Sequence, residues 1–149
     1  NILEAAVYLP LVVRGDTAPT ATATATATAT TPSPARIEIT TIVYNPAGDD
    51  VAGEYVAIAN SGGSSQNMSG WILSDAAVYD FVFPSFTLAP GATVRVWVKS
   101  GANTATDLYS GRGSAVWNNT GDTATLRDGG DQTIDSCSYG GGGSTASCQ

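Results

Sequence analysis

Thirteen carboxylates, two cysteines, one lysine and no histidine are the groups from which this 149-residue chain could build chemistry. Paired acids come first. Asp49 and Asp50 lie close to Glu54, and Asp75 follows. Two carboxyl groups flanking one bond could hydrolyse a glycoside, and oxygen-rich loops can hold calcium. Gly48-Asp49-Asp50 with Glu54 is the best cluster for an ion, but its spacing fits no dedicated calcium loop. These acids therefore read as loop charges, and neither a metal nor a cofactor is expected. Without His there is no ordinary Ser-His-Asp or Cys-His arrangement. Lys99, at the end of a strand pattern, reads as a solvated charge. No catalytic residue is expected, and the chain is read as a protein that is not an enzyme.

Cys137 and Cys148 bracket the glycine stretch from Gly140 to Gly143, which bends freely enough to bring the two thiols together. A disulfide here would contribute roughly 2–3 kcal/mol in the chain-entropy picture and pin the C-terminus to the last strand. Two free thiols in a frayed tail are the alternative. A metal site lacks the His or further Cys it would need.

The charge balance narrows the partners. Six Arg and Lys stand against thirteen Asp and Glu, a net charge of -7. No basic stripe exists to neutralise phosphates, so nucleic acid and anionic membranes are excluded as expected partners. Thr, Ser, Ala and Gly dominate, a composition typical of secreted bacterial surface proteins, and the expected location is extracellular. Asn1 in place of Met fits removal of a signal peptide and fits a fragment equally. The apolar segment of residues 5–13 is about half the length needed to cross a bilayer, so no membrane span is expected.

Three segments follow from the pattern: an apolar connector (1–14), a Thr/Ala/Pro-rich linker (15–35) and a β-patterned domain (36–149) closed by the cysteine loop. In the linker, strict Ala-Thr alternation puts Thr20, Thr22, Thr24, Thr26, Thr28 and Thr30 on one edge of an extended chain. Such a row suits O-linked sugar; an unmodified spacer is the alternative. Beyond it, residues 36–43 alternate Ile37, Ile39 and Thr41 against Arg36, Glu38 and Thr40. Further period-two runs cover 54–60, 71–74, 80–83, 93–99, 123–127 and 132–139, separated by Gly, Pro, Asn and Asp turns. About seven short antiparallel strands in a domain of this size predict an all-β sandwich.

Several blocks have a more specific pattern. They are Glu54-Tyr55-Val56-Ala57-Ile58-Ala59-Asn60, Gly70-Trp71-Ile72-Leu73-Ser74-Asp75, Phe83-Pro84 and Leu88-Ala89-Pro90-Gly91. Trp117-Asn118-Asn119-Thr120-Gly121-Asp122-Thr123-Ala124-Thr125-Leu126 follows, with Asp128, Asp135 and Tyr139 after it. In order and spacing, residues 37–139 resemble the lamin-tail domain, an immunoglobulin-like sandwich found at the end of nuclear lamins and in secreted bacterial proteins. The resemblance implies an adhesive or structural module. No heptad segment precedes the domain in this sequence, so coiled-coil filaments of the lamin kind are not expected. Physically, Trp71 reads as the centrepiece of a small core. Trp117, Asn118, Gly121 and Asp122 read as a tight corner, with Asn and Gly in left-handed backbone and the Asp side chain bonding nearby amides. A ligand site lined by Trp117 and Asn118 is the alternative.

The connector residues Val7, Tyr8, Leu9, Leu11, Val12 and Val13 remain to be placed, since such a run does not rest in water. Burying those six side chains contributes roughly 9–18 kcal/mol gross, and ordering nine residues costs about the same. Ladder hydrogen bonds and a shaped groove would then decide the affinity. Pro10, lacking an N–H, must face away from a ladder or mark a bulge. The expected function is a subunit of an extracellular filament, in which this strand adds to a neighbour's sandwich and the partners are other copies of the chain. The second expectation is a monomeric surface, adhesion or carbohydrate-binding module, whose connector packs on its own domain and whose exposed aromatics, such as Tyr44, Tyr79 and Tyr109, meet glycans.

Overall fold

The computed structural model describes Gly15, residues 28–77 and residues 79–149. The connector residues Val7 to Val13 and the linker threonines Thr20, Thr22, Thr24 and Thr26 lie outside the described residues, whereas Thr28 and Thr30 are described and exposed. The chain divides into two units, Asn1–Thr30 and Thr31–Gln149, and every described strand belongs to the second.

The strands are β1 (Ile37–Val43), β2 (Tyr55–Asn60), β3 (Gln66–Asn67), β4 (Ile72–Ser74), β5 (Asp80–Val82), β6 (Thr87–Leu88), β7 (Thr93–Trp97), β8 (Asp107–Tyr109), β9 (Asp122–Arg127), β10 (Thr133–Tyr139) and β11 (Thr145–Ser147). A single helical turn, α1 (Asp50–Gly53), precedes β2 and is capped by the Asp49 carboxylate, which accepts from the Ala52 N–H at 2.9 Å. One sheet runs β11-β1-β2-β7-β8 and the other β10-β9-β4-β5, with a small β3-β6 ribbon beside them. This is an immunoglobulin-like sandwich, and its long strands are the ones that period-two spacing predicts. Pairing is antiparallel except between β7 and β8, which run parallel.

Alternating side chains place Val56, Ile58, Val94, Ala124 and Leu126 between the sheets, all fully buried, together with Phe83 and Trp71. β1 departs from the expected alternation. A bulge between Ile39 and Thr41 shifts its register against β2, so the inward set is Ile37, Ile39 and Ile42 rather than Ile37, Ile39 and Thr41. One extra residue reverses the phase of everything after it. Thr40, at the bulge, donates through Oγ1 to the Ala57 carbonyl at 3.2 Å.

The two long sides of the sandwich differ. On one, the Cys137–Cys148 disulfide, with Cα atoms 5.6 Å apart, joins β10 of one sheet to the residue after β11 of the other. Beside it the Asp135 carboxylate accepts the Ile39 N–H at 2.7 Å, on the part of β1 that β11 leaves unpaired. On the other side lie the outer edges of β5 and β8; among the described residues, no strand pairs with either.

The end of the linker is built into the sandwich. Asn60, itself buried, accepts the Arg36 and Gly62 N–H groups on Oδ1 and donates to the Ser64 and Leu88 carbonyls. Ser64 Oγ donates to the Ser33 carbonyl at 2.8 Å, and the Ser61 N–H to that of Arg36 at 2.8 Å. Residue 62 must be glycine here, because a Cβ would stand 2.1 Å from the Pro34 carbonyl oxygen.

Candidate functional site

The corner between Trp117 and Asp122 is held by one carboxylate. Asp122 Oδ1 accepts from the amides of Thr123 at 2.8 Å and Ala76 at 3.0 Å, while Oδ2 accepts the Asn118 amide at 3.2 Å and its side-chain Nδ2 at 2.9 Å. Gly121 adopts φ +131, where a Cβ would approach the Tyr139 carbonyl to 2.9 Å. The expected left-handed asparagines are corrected: among the described residues Asp131 is the only non-glycine with positive φ. Asn118 needs no unusual backbone, because its side chain bonds Asp122 directly. Trp117 is buried and the Asn118 amide is engaged, so the corner reads as a structural joint.

Tyr139 closes the same joint from β10, donating its hydroxyl to the Asn118 carbonyl at 2.9 Å and stacking on Tyr44 with ring centroids 4.1 Å apart. Burial, followed by the Asp122 carboxylate, holds the Tyr139 phenol well above its usual range. Tyr44 is thereby corrected from an exposed aromatic to a core residue, 3% exposed, whose hydroxyl accepts the Gly143 N–H at 2.9 Å.

The acids considered for catalysis or calcium have separate duties. Asp49 caps α1, Asp50 accepts from the Asn119 side chain at 3.2 Å, and Asp75 accepts the Tyr79 amide at 2.6 Å. Glu54 is fully buried; its Oε2 accepts the amides of Val116 at 2.9 Å and Trp117 at 3.3 Å, and its Oε1 has no hydrogen-bond partner. Burial, the largest cause, pushes its carboxyl above the usual range, with the charges of Asp50 and Asp122 acting the same way. Among the described residues, no group of three His, Cys, Asp or Glu is placed to hold a metal ion. No described helix is long and apolar enough to cross a membrane.

Glu54 thus positions the 116–117 loop over a small apolar gap between the sheets, of about 10 Å³, the room of about one water. Leu73, Tyr79, Phe81, Val96, Trp97, Val98, Ser110, Val116 and Trp117 line it, on the side bounded by β5 and β8. Arg112 lies over the Tyr79 ring, 3.8 Å from its centroid.

The outer face of the five-stranded sheet carries a second feature. Register aligns Tyr55, Trp97 and Tyr109 in one row across β2, β7 and β8, all half-buried. Lys99 is more than a solvated charge: its ammonium sits 4.1 Å from the Trp97 ring centroid. Asp107 accepts from the Trp97 indole and from Arg95, each at 2.8 Å. The Thr106 hydroxyl and then the indole hold its carboxyl below the usual range. Sequence reasoning missed this row, although Tyr55 and Trp97 alternate with the buried Val56 and Val96 and so face outward by period two.

No curated protein matches the chain. Residues 30–141 match the family model of the Lamin Tail Domain, a non-catalytic structural family with the immunoglobulin-like fold seen here. The match spans most of the sequence and takes in the Trp71 strand, the Trp117–Asp122 corner and the β10 strand that closes it, and on that ground the chain belongs to the lamin tail domain family.

Proposed function

We propose that this chain is the structural, non-enzymatic subunit of an extracellular filament, in which the apolar connector of one copy adds as a strand to the sandwich of the next. One observation carries the reading. The described core, from Ile37 to Cys137, already packs both sheets against each other, while a run of Val, Leu and Tyr stands at the far end of a tether. That tether, from Arg14 to Ala35, reaches about 70 Å when extended, twice the width of a domain of about 35 Å. A donor on one copy and an acceptor on another make a heterologous contact, which propagates instead of closing. The disulfide accords with an oxidising, extracellular setting. The threonine row of the linker remains a carrier for sugar in this reading.

Electron microscopy and sedimentation of the intact chain, beside a chain lacking residues 1–14, test it. Filaments from the intact chain and none from the shortened one, with the unfolding transition of the domain unchanged, are expected. Solitary particles from the intact chain at high concentration, with a destabilised shortened chain, would show a connector that packs on its own domain.

The second reading, a monomeric surface module that binds glycans, is favoured by the Tyr55–Trp97–Tyr109 row, since aromatic faces suit sugar rings. Glycan-array binding lost on Trp97→Ala, with no filament formed by the intact chain, would select it.

A further inference from the structure

We infer that the outer face of the five-stranded sheet binds glycans that carry carboxylates, the uronic-acid class, with sugar rings against Tyr55 and Tyr109 and a carboxylate between Arg95 and Lys99. The inference rests on the glycan reading of the Tyr55–Trp97–Tyr109 row and names its ligand class; it does not depend on whether copies polymerise.

The middle of the row is cationic. Arg95 and Lys99 stand two residues before and two after Trp97, with their charged groups 5.3 Å and 4.1 Å from its ring centroid. Arg95 also lies 6.0 Å from the Tyr55 centroid. A cation resting on a ring is held in place by the ring and keeps its N–H donors for a ligand. Arg95 spends one nitrogen on Asp107, and among the described residues no carboxylate pairs with Lys99. Asp107 already accepts from Arg95, the Trp97 indole and the Thr106 hydroxyl. Two cations against one acid leave this row positive on a chain whose net charge is -7. Trp97 therefore presents a pair of charges, and the platforms for sugar lie on either side of it.

Those platforms are built and spaced. Tyr55 on β2 and Tyr109 on β8 are one strand to each side of Trp97, about 10 Å apart, a span that two linked sugar rings cover. Val43 on β1 continues the row beyond Tyr55. The Gly101 backbone backs the Tyr109 ring so closely that a Cβ there would stand 2.5 Å from it. The hydroxyls of Tyr44 and Tyr139 are engaged within the domain, whereas those of Tyr55 and Tyr109 bond to no described residue and are left for sugar hydroxyls.

The amount of charge selects the partner. Duplex DNA carries one charge per about 1.7 Å, and holding it takes many cations at once. One pair of cations between two aromatic platforms matches a polymer of rings with a carboxylate on some of them.

Biolayer interferometry on the full chain tests this with oligosaccharides of polygalacturonate, alginate and hyaluronan, each beside its carboxyl-reduced counterpart, and with neutral mannan and cellulose oligosaccharides. At least one acidic glycan should bind, and its carboxyl-reduced form should bind about fivefold more weakly, about 1 kcal/mol. A folded Lys99→Gln chain should lose that difference and Lys99→Arg should keep it. Equal binding of acidic and reduced forms, or of neutral glycans alone, with loss on Trp97→Ala, would overturn the ligand class and leave the glycan reading standing. Dextran sulfate binding as tightly as the acidic glycans would overturn the carboxylate assignment. Binding of none of these would overturn both the class and the glycan reading.

Discussion

Replacing Glu54 with Ala removes the acceptor of two buried amides, those of Val116 and Trp117. Each orphaned amide costs about 1–3 kcal/mol, so the variant should lose about 2–6 kcal/mol, a large share of the 5–15 kcal/mol that holds a typical domain. Glu54→Gln separates hydrogen bonding from charge, because its carbonyl still accepts both amides. The wild-type carboxyl lies above its ordinary value of 4.5, chiefly through burial. A carboxyl that holds its proton more tightly when folded stabilises the fold fully below the unfolded value. That contribution is lost as pH rises through the higher folded value. The Gln variant has no such loss, so its stability relative to wild type should rise as pH climbs above the ordinary value of 4.5. Guanidinium denaturation followed by tryptophan fluorescence measures both effects. An Ala variant within about 1 kcal/mol of wild type would refute the bonding argument. A Gln-to-wild-type difference independent of pH would refute the electrostatic one.

Two further perturbations follow from the same geometry. Cys137→Ser with Cys148→Ser opens a loop with a sequence separation of 11; the chain-entropy relation gives about 2.8 kcal/mol, or about 11 °C in Tm for a domain of about 120 residues, readable by calorimetry and contradicted by a shift under about 3 °C. Asp122→Ala strips the acceptor from three backbone amides and the Asn118 side chain, and should cost about 3–5 kcal/mol with faster hydrogen exchange at Ala76 and Thr123; exchange unchanged at both amides would show that Asp122 does not hold the corner.

Long strands were legible because each keeps its alternation for four residues or more, and the disulfide because glycines make its loop easy to close. The Asp122 corner was legible only in part: a short acid after Asn and Gly bonds the nearby amides of Asn118 and Thr123, but it also holds the amide of Ala76, 46 residues away, and no described Asn takes left-handed backbone. What escaped the sequence was non-local. β8 and β11 have three residues each, too few for a period, and β7 and β8 pair in parallel across a loop. Glu54 reads as one of several loop acids beside Asp49 and Asp50, because its partners lie 62 and 63 residues further on. The bulge at Thr40 reverses the phase of β1 without any Gly or Pro to announce it. The Tyr55–Trp97–Tyr109 row depends on cross-strand register, which no single segment contains.

Residues 33–36 are bonded to the 61–64 turn and run straight into β1, so tension on the tether is delivered along that strand's axis. The ladder bonds to β2 lie across this axis. They therefore carry the load together, in shear, instead of tearing one after another as a peeled edge would. Part of the force passes through β11 and the disulfide into the second sheet. Under mechanical stretching the Thr-Ala tether should lengthen first and the sandwich yield last, the behaviour of a link made to bear weight.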